Sequence, residues 1–198
     1  FIWRTKYGIL SLTRSANNPL MWSHYSEGHK GFVIGFKVTH DFFSSKDVNL
    51  VPVQFGNVIY TSTKPIHSFI DKSDHVIKVG SEISYLPERL ESLQRIFLYK
   101  PLCWSYEEEV RIVRNISMKK QSNREKIDEV RIIKANDNDL YVYNLPKNTI
   151  KEIYLGYDSP LLQNQHVQLK RLMEQTAIHN PEAVFNMCFP DEFSWEFI

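Results

Sequence analysis

Two stretches of the chain carry side chains that could do chemistry. One is WSYEEEVRIV, from Trp104 to Val113. In an extended strand alternate residues share a face, so Glu107, Glu109 and Arg111 point one way and Tyr106, Glu108, Val110 and Ile112 the other. Arg111 can hold one carboxylate by a bidentate ionic hydrogen bond and leave the other for catalysis. The same spacing also fits a solvated polar face on a half-buried sheet, with the charges compensating one another.

The other stretch runs from Asn17 to Phe36, NNPLMWSHYSEGHKGFVIGF, and gathers Trp22, Ser23, His24, Tyr25, His29 and Lys30. On a helix Met21, Trp22 and Tyr25 fall on one side, which fits packing into a core. The alternative is that Ser23, His24 or Tyr25 lines a ligand cleft. Histidine and tyrosine each have an aromatic face and a polar tip, so together they can bracket a planar ring and hydrogen-bond ribose hydroxyls.

Other chemistries lack their residues. His24 and His29 do not share a helix face and have no carboxylate at a third position, so no metal site is expected. Gly28, Gly31 and Gly35 match neither phosphate-loop pattern, and a Gly-x-Ser-x-Gly elbow is missing. Lys119, Lys120, Arg124 and Lys126 read as a solvated basic loop, because 24 Lys and Arg against 23 Asp and Glu leave a net charge of only +1. Two cysteines, Cys103 and Cys188, make no disulfide framework and fit a reducing cytoplasm. With no run of about 18 apolar residues, no membrane span is expected.

The elements that must position these residues can be read in order. The 198 residues suggest a single domain over 1–198. The chain opens on Phe1 and enters an apolar run at once, so an upstream N-terminal segment is expected to be missing. Residues 6–13 read as a strand. Asn17 or Asn18 caps a short helix over Leu20–Glu27, with Pro19 at its first position and Gly28 at its end. GFVIGFKV, apolar on both faces, predicts a central strand, with a bulge or close approach at Gly35. A loop or short helix covers 40–49, and VPVQF and NVIYT are strand-like. The pattern over 76–99 is helical, with Leu90, Leu93, Ile96 and Phe97 at helical spacing. A strand over 106–114 and a polar loop over 115–129 follow. VRIIK, LYVYN and IKEIYLGY are three strands, and Ser159 and Pro160 start an amphipathic helix faced by Leu162, Val167, Leu169, Leu172 and Met173. Strand-like pieces close the chain from Val184. This order predicts an α+β fold with a twisted, mixed, largely antiparallel sheet and a few flanking helices.

Together, LMWSHYSEGHKGFVIGF and WSYEEEVRIV, with Lys100 just before the latter, resemble an uncharacterised bacterial family, the domain of unknown function numbered twenty-nine seventy-one. The resemblance covers roughly Gly8 to Gly156. It implies a preceding segment with an Asn-Asp-Pro-Phe-like motif. A looser similarity in element order is to ADP-ribosyltransferases, especially the DNA-targeting toxins. That similarity implies a Glu-x-Glu element at Glu107-x-Glu109, with Glu109 catalytic, and a Ser-x-Ser/Thr strand motif at Ser11-Leu-Thr13.

On this resemblance the chain is an NAD-using, ADP-ribosyltransferase-like enzyme, a bacterial toxin or defence effector acting in the cytoplasm, with NAD as substrate and a protein or nucleic acid as acceptor. Glu109 would stabilise positive charge on the ribose, Glu107 would position the acceptor, and Arg111 would keep the pair ionised and oriented. Ser23, His24 and Tyr25 would contact NAD, and Arg14 or the start of the Pro19 helix would meet its pyrophosphate. Two rivals stand beside it. One is a non-catalytic module that binds a nucleotide or a protein at Trp22–Tyr25. The other is a metal-dependent nuclease using Glu107 and Glu109, which needs a further carboxylate.

Overall fold

The computed structural model describes residues 7–63, 77–79, 83–85, 96–116, 130–135 and 138–191. The basic loop expected around Lys119 to Lys126, most of the helix expected over 76–99, and the aromatic tail from 192 lie outside the described residues. The fold is α+β, built of small sheets whose strand pairs are mostly antiparallel, with a few helices. It divides into two compact units. One comprises Phe1–Leu12, Thr39–Ser105 and Glu109–Pro146; the other comprises Thr13–Val38, Tyr106–Glu108 and Lys147–Ile198.

In the first unit, strand Glu109–Asn115 lies between Tyr7–Thr13 and Asn49–Val51 in a three-stranded sheet. Leu50, Val51, Leu98 and Val113 form its core, with Tyr7 and Phe97 packed against them. A short parallel pair, Ile59–Thr61 with Tyr99–Pro101, stands in the same unit. VRIIK and LYVYN are strands as expected, and they pair antiparallel with each other, Val130–Ala135 with Asn138–Tyr143. Three expectations are corrected here. VPVQF is not a strand: Pro52 ends Asn49–Val51, and Val53–Phe55 is a turn of 3-10 helix. Within the stretch expected to be helical, Ile77–Val79 and Ile83–Tyr85 pair as antiparallel strands, in line with their β-branched content, and among its described residues 96–98 are helical. The strand expected from Tyr106 starts at Glu109. Leu102–Glu107 is 3-10 helix, and Glu108 turns the chain with φ 45°.

In the second unit, Ile150–Gly156 is the middle strand, antiparallel to Phe32–Phe36 and parallel to Val184–Cys188. GFVIGFKV is therefore a flanking strand, not the central one, and Phe32 is exposed. The irregularity expected at Gly35 is present as a register shift opposite it, between Ile150 and Glu152; a side chain at Gly35 would stand 3.2 Å from the Glu152 Cβ. Trp22 and Cys188 form the core, with Val33 and Tyr154 against them. The amphipathic helix is split into Pro160–Gln163 and His166–His179. Its expected apolar face is only partly covered: Leu162, Leu169 and Leu172 are half-buried, while Val167 is 80% exposed. No helix among the described residues is long and apolar enough to cross a membrane.

Candidate functional site

The first unit centres on Glu109. Strand geometry puts Glu109 and Arg111 on one face, and there they pair: Arg111 Nε donates to Oε1 at 2.8 Å and Nη2 to Oε2 at 3.0 Å. A second cation joins them, Lys100 Nζ donating to Oε2 at 2.9 Å from strand Tyr99–Pro101. The Ser11 hydroxyl donates to the same carboxylate from the neighbouring strand Tyr7–Thr13. The backbone is fixed as well. The Glu109 N–H donates to the Tyr60 hydroxyl at 2.7 Å, and the Arg111 N–H to the Gly56 carbonyl at 2.8 Å.

Glu109 is only 6% exposed. Burial alone raises its carboxyl pKa, but hydrogen bonds from Arg111, Ser11 and Lys100 outweigh it and bring the pKa down to about 2. The group is therefore an oriented, ionised carboxylate that is largely buried. Arg111 is anchored a third time, its Nη1 donating to the Phe97 carbonyl at 2.5 Å. Lys100 also lies 5.4 Å from the centroid of the Trp104 ring.

The second unit builds a different cluster on helix Pro19–Tyr25. Asn18 caps the helix, its Oδ1 accepting from Leu20 N at 3.0 Å and Met21 N at 3.3 Å, while its Nδ2 donates to the Tyr106 carbonyl at 2.6 Å. Trp22 is buried and its indole N–H donates to the Ala16 carbonyl at 2.6 Å. Tyr25 does not join Trp22 in the core. Its ring is 62% exposed, and its hydroxyl donates to Oε1 of the buried Glu107 at 2.8 Å. The exposed His24 ring stands 6.5 Å from Tyr25 and 6.1 Å from Tyr106.

Past the helix the backbone is left-handed at Glu27, Gly28 and His29, with φ of 51°, 63° and 70°. This turn brings His29 between Trp22 and Tyr157, with ring centroids 6.3 and 5.2 Å away. Burial lowers the His29 pKa, and Asp158 opposes it.

The structure thus divides the residues singled out from the sequence. Glu109 and Arg111 meet in the first unit; Glu107 meets Tyr25 in the second. Glu107 is not on the strand face of Glu109 and Arg111, because the chain leaves 3-10 helix and turns at Glu108 before that strand begins. Ser23 and Arg14 are exposed in the second unit. Sequence reasoning missed Tyr60, Trp104 and Tyr106 as partners. Lys100 was visible only as part of the motif. Among the described residues, no group of three or more His, Cys, Asp or Glu could hold a metal ion.

Residues 21–112 match the model of a family described as a protein of unknown function (DUF2971). The matched segment takes in both motifs, MWSHY and WSYEEEVRI, and supports the family resemblance they carry. No curated protein and no solved structure matches the chain, so the comparisons give the likeness to ADP-ribosyltransferases no support.

Proposed function

We propose that the chain is an NAD-using enzyme of ADP-ribosyltransferase type, with Glu109 as its charge-stabilising carboxylate. The observation that carries the reading is that Ser11 and the buried, doubly ion-paired Glu109 stand on neighbouring strands of one sheet. These two residues were matched separately to two elements of the resemblance, about a hundred positions apart, and they meet across paired strands.

The chemistry follows from the charge. The bond between ribose and nicotinamide breaks, and its electron pair leaves on the nicotinamide ring, which becomes neutral. The ribose carbon takes on positive charge. An ionised carboxylate held in a water-poor place can stabilise that charge. An acceptor lone pair then forms the new bond and the acceptor gives up its proton. Ser11 and Arg111 act as positioning residues that fix the carboxylate's orientation and keep it ionised.

The test is release of nicotinamide from NAD by the purified chain, with protein and nucleic-acid acceptors supplied. Release that is abolished in a folded Glu109→Gln variant supports the reading; neither NAD binding nor release overturns it.

A second reading rests on the exposed rings of His24 and Tyr25 in the second unit, with Tyr106 beside them. The hydrogen bond to Glu107 fixes Tyr25 by its polar tip and leaves its ring face presented to solvent. Such a ledge suits a non-catalytic module that stacks a planar base. It requires binding that is lost in His24→Ala and indifferent to Glu109.

A further inference from the structure

The Glu109 carboxylate is saturated. An ionised carboxylate offers about four acceptor positions. Arg111 fills one on each oxygen, Lys100 takes another on Oε2, and the Ser11 hydroxyl also donates to it. One carboxylate also faces two cations, so the cluster as it stands is net positive, the wrong sign for stabilising a cation. A ligand hydroxyl or a developing positive charge can use Glu109 only when one donor leaves.

The three donors differ in how readily they can go. Arg111 is fixed at both oxygens and again at the Phe97 carbonyl. Ser11 has a one-carbon stem on a paired strand. Lys100 has a flexible four-carbon stem, and its ammonium already lies within reach of the Trp104 ring, which is 40% exposed.

We propose that Lys100 is an internal stand-in cation, displaced from Glu109 Oε2 when a planar organic cation takes its place beside the carboxylate and against Trp104. The inference rests on the proposed function for the class of ligand, since NAD carries an N-alkylpyridinium ring, and on the geometry alone for the site. In this role Lys100 keeps the buried carboxylate paired between encounters. Without it, Arg111 and Ser11 alone would have to offset the cost of burying that charge.

The test uses 1-methylnicotinamide as a non-reacting cationic probe and neutral nicotinamide as its control, with binding measured by calorimetry. Lys100→Met removes the competing charge, so this variant binds the cation at least about tenfold more tightly than the wild-type chain, Lys100→Arg does not, and the neutral control is unaffected. A folded Lys100→Met variant with unchanged or weaker affinity overturns the proposal. Should that variant not fold, the wild-type chain gives the answer. The Lys100 amine is acylated faster when the probe is present, and an equal rate overturns the proposal. Cation binding without NAD cleavage in any variant would sink the enzymatic reading and leave this site standing.

Discussion

Arg111 holds both oxygens of Glu109 from two positions along the same strand, at 2.8 and 3.0 Å. With Glu109 only 6% exposed, the pair is a buried ion pair whose value depends on both partners being present. Arg111→Met is expected to leave the carboxylate with Lys100 and Ser11 alone and to cost about 3 kcal/mol, read from urea unfolding. A loss under about 1 kcal/mol would mean that the other two donors suffice.

The pH dependence has a defined sign. Burial raises the Glu109 pKa, but the bonds from Arg111, Ser11 and Lys100 bring it down from 4.5 to about 2 in the folded chain. A depressed folded pKa contributes stability above the unfolded value and loses it as pH falls through the folded one. The wild-type chain should therefore lose this contribution between pH 4.5 and about 2, and Glu109→Gln should lack that part of the acid limb. Superimposable acid limbs for the two proteins would show that Glu109 is not held ionised by its partners.

Much of this arrangement was legible in the sequence, for identifiable reasons. The i, i+2 spacing of Glu109 and Arg111 needs nothing beyond strand alternation, and the pair formed as that rule requires. Asn18 and Pro19 marked the helix start by capping chemistry, and Asn18 caps it. What failed depended on choices that local periodicity does not encode. Glu107 continued the alternating pattern by residue type, yet Glu108 adopts φ 45° and breaks it. Tyr25 shared helical spacing with Trp22, but its hydroxyl found the Glu107 carboxylate and its ring stayed outside the core. Tyr60 lies outside both motifs, and Trp104 lies in one that does not name its partner; only tertiary pairing brings Tyr60 to the Glu109 N–H and Trp104 to Lys100.

Gly56 is a strict requirement on steric grounds. A Cβ there would stand 2.0 Å from the Arg111 carbonyl oxygen, and backbone cannot give way as the end of a side chain can. Gly56→Ala should cost about 3 kcal/mol, or roughly 6–12 °C in Tm, because the Arg111 N–H bond to Gly56 is forced apart as well. Gly28→Ala is a useful contrast: nothing stands within 4 Å of its Cβ position, so only the positive φ of 63° opposes it, at about 1 kcal/mol. Equal losses at the two positions would contradict the close approach at Gly56.

The Tyr25 hydroxyl decides between packing and recognition in the second unit. Tyr25→Phe keeps the ring and removes the donor to the buried Glu107 carboxylate, so it should cost about 1.5–3 kcal/mol in stability. His24→Ala removes an exposed ring and should change stability by less than about 0.5 kcal/mol. Base stacking is worth about 1–3 kcal/mol per ring, so if the ledge binds a nucleotide, His24→Ala should weaken NAD or AMP binding by roughly five- to a hundredfold at unchanged stability. Calorimetric titration of the two variants separates the cases. Affinity untouched by His24→Ala would remove this ledge from any binding role, whatever Glu109 does.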